Sequence, residues 1–325
     1  MDVRLIREAA VRECLTDELP ALLTVPDAVV WVDIPAGDPG AERVLTDLFG
    51  FHVQAVEDSG RRNPAPKLHV YPDHIFLVLH APELGERGHI HYIELDVFLS
   101  SQYLVTVHGP LNPAVDPSLA LVETAAVAAR IDSGRWVPTS SYDLAHAVVT
   151  GLNRRMTQHV AKLTTDTWTL EREVTDGKLG NPELFLEEMF RVRHGLQAVQ
   201  TMATLDHQVF GRLATLDALD GGKVLVSDAL DQFERVRTMA QTQSDYLEGV
   251  ITLYQTRANT KMTIAAERLA VIAAVTLPVT AISSVLGMNV IVSEHTNFLG
   301  LAILLTLMVG LSGWLLYWCK RQGWW

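Results

Sequence analysis

Asn289 closes a Gly287-Met288-Asn289 triplet at the end of a long apolar run. An uncharged amide oxygen there can accept hydrogen bonds from the waters of a hydrated cation without gripping the ion itself. The same residue could equally serve as a helix C-cap or turn, with Gly287 permitting a close turn and Met288 supplying packing. Five residues on, Glu294 is either a solvated loop acid or a charge that concentrates cations near the triplet. Upstream, Thr263, Ala266, Leu269 or Ala270, Ala273, Leu277, Thr280, Ser284 and Gly287 recur at three- and four-residue steps, a helical stripe of mostly small or hydroxyl side chains. Such a stripe suits close helix packing or the lining of a water-filled path. Thr280 and Ser284 offer hydroxyls to hydrated ions, and Leu269 and Leu277 could form apolar collars that gate by dewetting.

The elements that must position these residues are two apolar segments. Leu269 to Gly287 carries no charged residue and as a helix reaches roughly 28 Å, close to the thickness of a bilayer core. Phe298 to Cys319 is the second, and Pro278 predicts a kink in the first, tolerable where neighbouring helices surround it. Arg257, Lys261 and Arg268 precede the first segment and Lys320 and Arg321 follow the second, while the loop between them has Glu294 and His295 but no Lys or Arg. That bias places both termini in the cytoplasm and the loop outside. Trp314, Tyr317, Trp318, Trp324 and Trp325 supply an aromatic anchor at the inner end.

Ahead of the spans, Ala28 to Ile34, Ile75 to His80, His91 to Leu99 and Tyr103 to His108 read as strands, and Ala41 to Phe49 as a helix. No glycine-rich phosphate loop follows a strand, so nucleotide binding has no support. From Tyr142 the period becomes helical, with one helix to about Thr175, broken at Asp176-Gly177 and Gly180-Asn181-Pro182, and a second from Glu183 to about Leu219, broken at Gly221-Gly222. The third starts near Ser227. Its residues Ala229, Phe233, Val236, Ala240, Gln243, Leu247, Val250 and Tyr254 alternate four- and three-residue steps, like a coiled-coil seam. No breaker separates it from the first span, and a helix of about 90 Å calls for partners around an axis. The expectation is a homo-oligomer with this seam facing the axis.

The fold class expected is therefore α+β: a cytoplasmic α/β sandwich over 1–140, a helical hairpin over 141–226, a stalk helix continuing into the first span over 227–287, a loop over 288–297, a second span over 298–319 and a basic tail over 320–325. Formal charge is −12 and argues against nucleic acid as a partner. Cys14 and Cys319 are too few and too far apart for a disulfide framework or zinc spacing, as in a reducing cytoplasm. The first twenty residues are charged throughout, without an apolar core of signal-peptide length. His89 and His91, with Glu94 close by, read as exposed histidines rather than a zinc site, which needs three or four converging ligands. No nucleophile–base arrangement stands out, and no enzyme is expected.

The triplet, the kinked span before it and the charged tail after the second span resemble the CorA family of divalent-cation channels. Leu48-Phe49-Gly50-Phe51-His52, Ala55-Val56-Glu57-Asp58, Pro66-Lys67 and Tyr71 are similar to that family's N-terminal block. The resemblance implies a homopentamer in the inner (plasma) membrane that carries Mg2+, or Co2+ and Ni2+, into the cytoplasm, with selectivity at Gly287-Met288-Asn289. It implies inhibition by intracellular Mg2+ at acids between protomers. Candidates are Asp228, Asp231 and Glu234 at the start of the stalk helix, facing Glu83 or Glu86 of a neighbour. The sequence departs from the family at Leu286, where an aromatic is usual, at Thr263, where an asparagine is frequent, at Leu277, where some members have methionine, and in its short basic tail. A zinc-moving relative similar to ZntB would replace the methionine retained here as Met288. A non-conducting membrane-anchored sensor or scaffold is the other alternative.

Overall fold

In the computed structural model, residues 1–8, 10–85, 89–110, 112–177, 181–216, 222–287 and 298–323 are described. The chain divides into two compact units, Met1–Val250 and Ile251–Trp325.

The first unit is built on a seven-stranded sheet of order β2-β1-β3-β7-β6-β5-β4. Its strands are β1 (Asp2–Arg7), β2 (Ala10–Cys14), β3 (Val29–Ile34), β4 (Lys67–Val70), β5 (Ile75–Leu84), β6 (Ile90–Leu99) and β7 (Tyr103–His108). β3 and β7 pair in parallel, and the other neighbours are antiparallel. Side chains alternate between faces along a strand, so a sheet buried on both sides needs apolar residues at nearly every position. β3 (Val-Val-Trp-Val-Asp-Ile) meets that demand. Val30, Val32, Ile34, Phe76, Val78 and Phe98 point to one side, where they pack with Leu45, Phe51 and Ala55. Trp31, Leu77, Leu79, Val97 and Leu104 point to the other, under the long helices.

The first side is covered by short elements: α1 (Leu19–Leu22), α2 (Ala41–Arg43), a π-helical segment over Val44–Leu48, and α3 (Val53–Ser59). The expected single helix over 41–49 is thus split, and the wider π turn has Phe49 N–H donating to the Val44 carbonyl at 3.0 Å. The residues of the N-terminal block are structural here. Phe51 stacks on Phe98 at 4.2 Å and His52 on Tyr71 at 5.0 Å. Asp58, buried, holds Arg61 at 2.5 Å and Lys67 at 3.0 Å.

The other side carries α4 (Val122–Asp132), α5 (Ser141–Asp176), α6 (Pro182–Ala214) and the first part of α7 (Lys223–Gly287). Local chemistry sets the boundaries. The Ser140 hydroxyl accepts the Asp143 N–H at 3.1 Å as N-cap of α5, and Gly177 at φ 71° ends that helix in the left-handed conformation that glycine adopts without strain. Asn181 caps α6 through Glu183 N–H at 2.9 Å, with Pro182 in the first turn. Gly195 of α6 lies where a Cβ would stand 2.9 Å from Leu163 of α5, so Gly195→Val is expected to destabilise the unit by about 1–3 kcal/mol through overpacking, read from the denaturant midpoint.

One expectation is overturned. The α7 seam does not face a symmetry axis in its lower part. Ala229, Phe233, Val236 and Ala240 are buried in one core with α5 and α6 of the same chain, and Phe233 packs on Phe210 at 5.3 Å. Spacing identifies an apolar face but not which helix covers it. Tyr246 Oη donates to Glu171 of α5 at 2.5 Å, and Gln200 of α6 bonds Gln241.

The second unit holds the rest of α7, with Pro278 inside it, and α8 (Phe298–Arg321). Both helices contain stretches long and apolar enough to cross a membrane. The α/β sheet domain, the long helix and the two candidate spans agree with the fold class expected.

Candidate functional site

Gly287 is the last residue of α7. Met288, Asn289 and Glu294 lie outside the described residues, and so does Glu86.

Below Gly287, the predicted stripe is open. Thr263, Ala273, Thr280 and Ser284 are exposed, and Leu269 and Leu277 are 67% and 66% exposed. The covered face is a different one: Val271 is buried and Ala274, Val275, Pro278, Val279 and Ile282 are half-buried. At 3.6 residues per turn the two faces lie roughly opposite each other. α7 therefore covers its Val271–Ile282 side within the chain and leaves the small and hydroxyl stripe free for something outside it.

The hydroxyls of that region have a common geometry. Thr280 Oγ1 donates to the Thr276 carbonyl at 2.8 Å, and Thr263 Oγ1 to that of Asn259 at 3.0 Å. Thr260 and Thr256 repeat the pattern at 2.8 and 2.9 Å, extending a polar face beyond Thr263. Each hydroxyl proton is turned to the helix's own backbone, and the oxygen lone pairs are left outward. Such a surface accepts hydrogen bonds, and the waters around a cation donate them. The repeat Thr-x-x-x-Thr over 252, 256 and 260 was a signal in the sequence that the smaller stripe left unused.

The regulatory candidates fall into separate networks. Asp228 accepts from His146 Nε2 of α5 at 2.7 Å and from Gln232 at 2.6 Å. The hydrogen bond from His146 is the main effect holding its carboxyl below the usual carboxylate range. A depressed folded value means that this contribution to stability is present at neutral pH and is lost as pH falls through the acid range of Asp228. His146→Gln is expected to flatten that part of the pH–stability profile, measured by denaturant unfolding between neutral and acidic pH. Glu234 is gripped by Arg237 at 2.8 and 2.6 Å, which lowers its pKa. Asp231, exposed, lines a shallow surface groove with Glu234, Arg235, Thr238 and Met239.

Glu83 belongs elsewhere. Its carboxylate accepts from Arg155 Nη1 at 2.8 Å, and Arg155 also binds Glu123 at 2.6 and 2.9 Å and the Leu119 carbonyl at 2.6 Å. Burial pushes the Glu123 carboxyl up, opposed by Arg155. This network ties β5, α4 and α5 together beneath the helical layer.

His91 sits opposite Glu83 across β5 and β6, and Glu94 projects from the other face of the sheet, where it accepts from Asn63 at 2.6 and 2.7 Å. Among the described residues no three His, Cys, Asp or Glu side chains converge as a metal site.

A sheet domain, a long helix with one open stripe and a second apolar helix ending in Lys320-Arg321 are the layout of a membrane protein with two candidate spans and a large sheet-and-helix body. The profile of the CorA-like Mg2+ transporter protein family matches residues 26–321, and the chain belongs to that family. YfjQ of Bacillus subtilis (strain 168), named for metal ion transport, is 23% identical over 308 residues, which is 92% of this chain and 91% of that protein. The complete structure of the CorA magnesium transporter from Methanocaldococcus jannaschii superposes with a TM-score of 0.82 at 15% identity, over 100% of this chain and 99% of that one. The ZntB cytoplasmic domain of Vibrio parahaemolyticus RIMD 2210633 matches with a TM-score of 0.62 at 10% identity, over 80% of this chain and 98% of that domain. Likeness at these identities is a likeness of fold.

Proposed function

We propose that this protein is a channel for divalent metal cations, with Mg2+ its principal cargo, assembled from several copies, five by its family resemblance, around a path lined by the open stripe of α7. The observation that carries the reading is the arrangement of α7 itself. The face bearing Leu269, Ala273, Leu277, Thr280 and Ser284 is exposed while the opposite face is covered, and it leads to Gly287-Met288-Asn289.

Mg2+ dehydrates reluctantly, so a path that keeps its waters needs acceptors rather than strong ligands. The outward lone pairs of Thr280 and the exposed hydroxyl of Ser284 meet that need inside, and a ring of Asn289 amides meets it at the mouth. Leu269 and Leu277 form the constrictions. Carboxylates at the same depth would hold the ion too tightly for release, and conduction requires release. Glu294 raises the local cation concentration at the entrance. The apolar spans support a place in the plasma membrane, and the basic flanks favour a topology with both termini in the cytoplasm.

Cytoplasmic Mg2+ closes the path by binding acids of the body only in the closed state, which shifts the population. Asp231, exposed in a surface groove, is the best placed, and Glu234 in the same groove must release Arg237 first. Asp228 must release His146 first, and Glu83 must release Arg155.

The test is purified full-length protein in liposomes enclosing a Mg2+-sensitive dye. Mg2+ entry that depends on the protein supports the reading. A response to Zn2+ alone indicates a ZntB-like cargo, and silence with every divalent ion overturns transport in favour of a sensor or scaffold.

A further inference from the structure

We infer that α7 carries a docking face for anionic phospholipid, built from the exposed cations Lys261 and Arg268 with the exposed Ile272 beyond them. The chain as a whole has a formal charge of −12, yet from residue 251 onward five basic residues stand against two acidic ones, so that this segment is +3 and residues 1–250 are −15. The basic residues are not scattered. Arg257, Lys261 and Arg268 fall within an arc of about 40° on the helix, turned away from the stripe of Leu269, Ala273 and Thr280.

Lys261 and Arg268 are exposed, and neither has an ion pair among the described residues. The same arc, followed toward Gly287, reaches Ile272, which is 58% exposed, before it runs into the side covered within the chain. Exposed cations followed along one face by an exposed isoleucine match a phospholipid, with the headgroup phosphate at Lys261 and Arg268 and the first part of an acyl chain at Ile272. At the end of α8, exposed Trp314 and Tyr317 precede Lys320 and Arg321, an interfacial anchor of the same kind.

The anionic charge is what the site selects. A basic residue near an anionic leaflet contributes about fivefold in binding, falling off within a Debye length. The inference requires the spans to sit in a bilayer but not that they conduct, so its test uses no flux.

Full-length protein in neutral detergent is titrated with short-chain phosphatidylglycerol or phosphatidylcholine while its melting temperature is followed. Phosphatidylglycerol is expected to raise the melting temperature more than phosphatidylcholine does, and 0.5 M salt to weaken the difference. Lys261→Gln with Arg268→Gln is expected to weaken phosphatidylglycerol binding roughly 30-fold and to leave the response to phosphatidylcholine unchanged. The charge-preserving pair Lys261→Arg with Arg268→Lys is expected to retain the preference. Equal responses to the two lipids overturn the proposal. A double Gln variant that melts lower without lipid and keeps the phosphatidylglycerol effect also overturns it, and points instead to carboxylates of a second copy as the partners.

Discussion

Arg155→Ala is expected to destabilise the sheet-and-helix body by about 3–5 kcal/mol, the usual cost of removing one partner from a buried ion pair. The side chains of Arg155 and Glu123 are each 7% exposed, and Glu83 is 16% exposed. The alanine leaves both acids without their cation in a low-dielectric site between sheet and helices. For a unit of this size the apparent melting temperature should fall by roughly 6–20 °C. The loss has a pH signature. Burial already raises the Glu123 carboxyl above its usual value, and removing Arg155 raises it further. An acid with a raised folded pKa destabilises the fold at high pH and is relieved when protonated, so the gap between variant and parent should narrow as pH falls toward the ordinary range of glutamate. Unfolding at neutral and mildly acidic pH measures both. A loss under 1 kcal/mol would mean that water reaches the network and that apolar packing alone joins α4 and α5 to β5.

Asn289→Ala is expected to reduce Mg2+ entry into dye-loaded vesicles by tenfold or more. Removing one hydrogen-bonding group that serves a charged partner costs about 1.5–3 kcal/mol, which is tenfold or more in rate, and a ring repeats the loss in every copy. Asn289→Asp should act differently. It should strengthen binding of Mg2+ at the mouth and still slow its passage, because a carboxylate attracts more than it releases. A glycine-permitted turn that merely contains an asparagine would predict little change in either variant.

The central strands and the long helices were legible because their patterns are strong. β7 is a short run of strand-forming residues, Tyr103 to His108, after the Ser100-Ser101-Gln102 turn, and the ends of α5 and α6 carry Gly177 and Asn181-Pro182. β1 and β2 were not legible. Arg4, Arg7, Arg12 and Glu13 interrupt any apolar alternation, yet Arg4 is 7% exposed, stacked 5.5 Å from the Trp31 ring and bonded to Asp132 at 3.2 Å. A charge that is covered and paired through the fold looks like a solvated one in the sequence.

The same limit applies to the acids. Glu83 and Asp228 read as surface carboxylates open to a metal, but their partners Arg155 and His146 lie 72 and 82 residues away. Periodicity found the α7 seam but could not say that α5 and α6 of the same chain cover Phe233 and Ala240. The open stripe above it was legible in outline, and its opposition to the covered Val271–Ile282 face needed the structure.

That opposition is the basis of the proposed path, and substituted-cysteine accessibility tests it directly. In a background with Cys14 and Cys319 replaced, single cysteines at Leu277, Thr280 and Ser284 should react with a water-soluble, charged thiol reagent, and reaction should block Mg2+ entry into vesicles. Cysteines at Val275, Val279 and Ile282, on the covered side, should react slowly and leave entry unchanged. If the two sets react alike, or if modification at Thr280 and Ser284 leaves Mg2+ entry untouched, the stripe of α7 does not line the route taken by the ion.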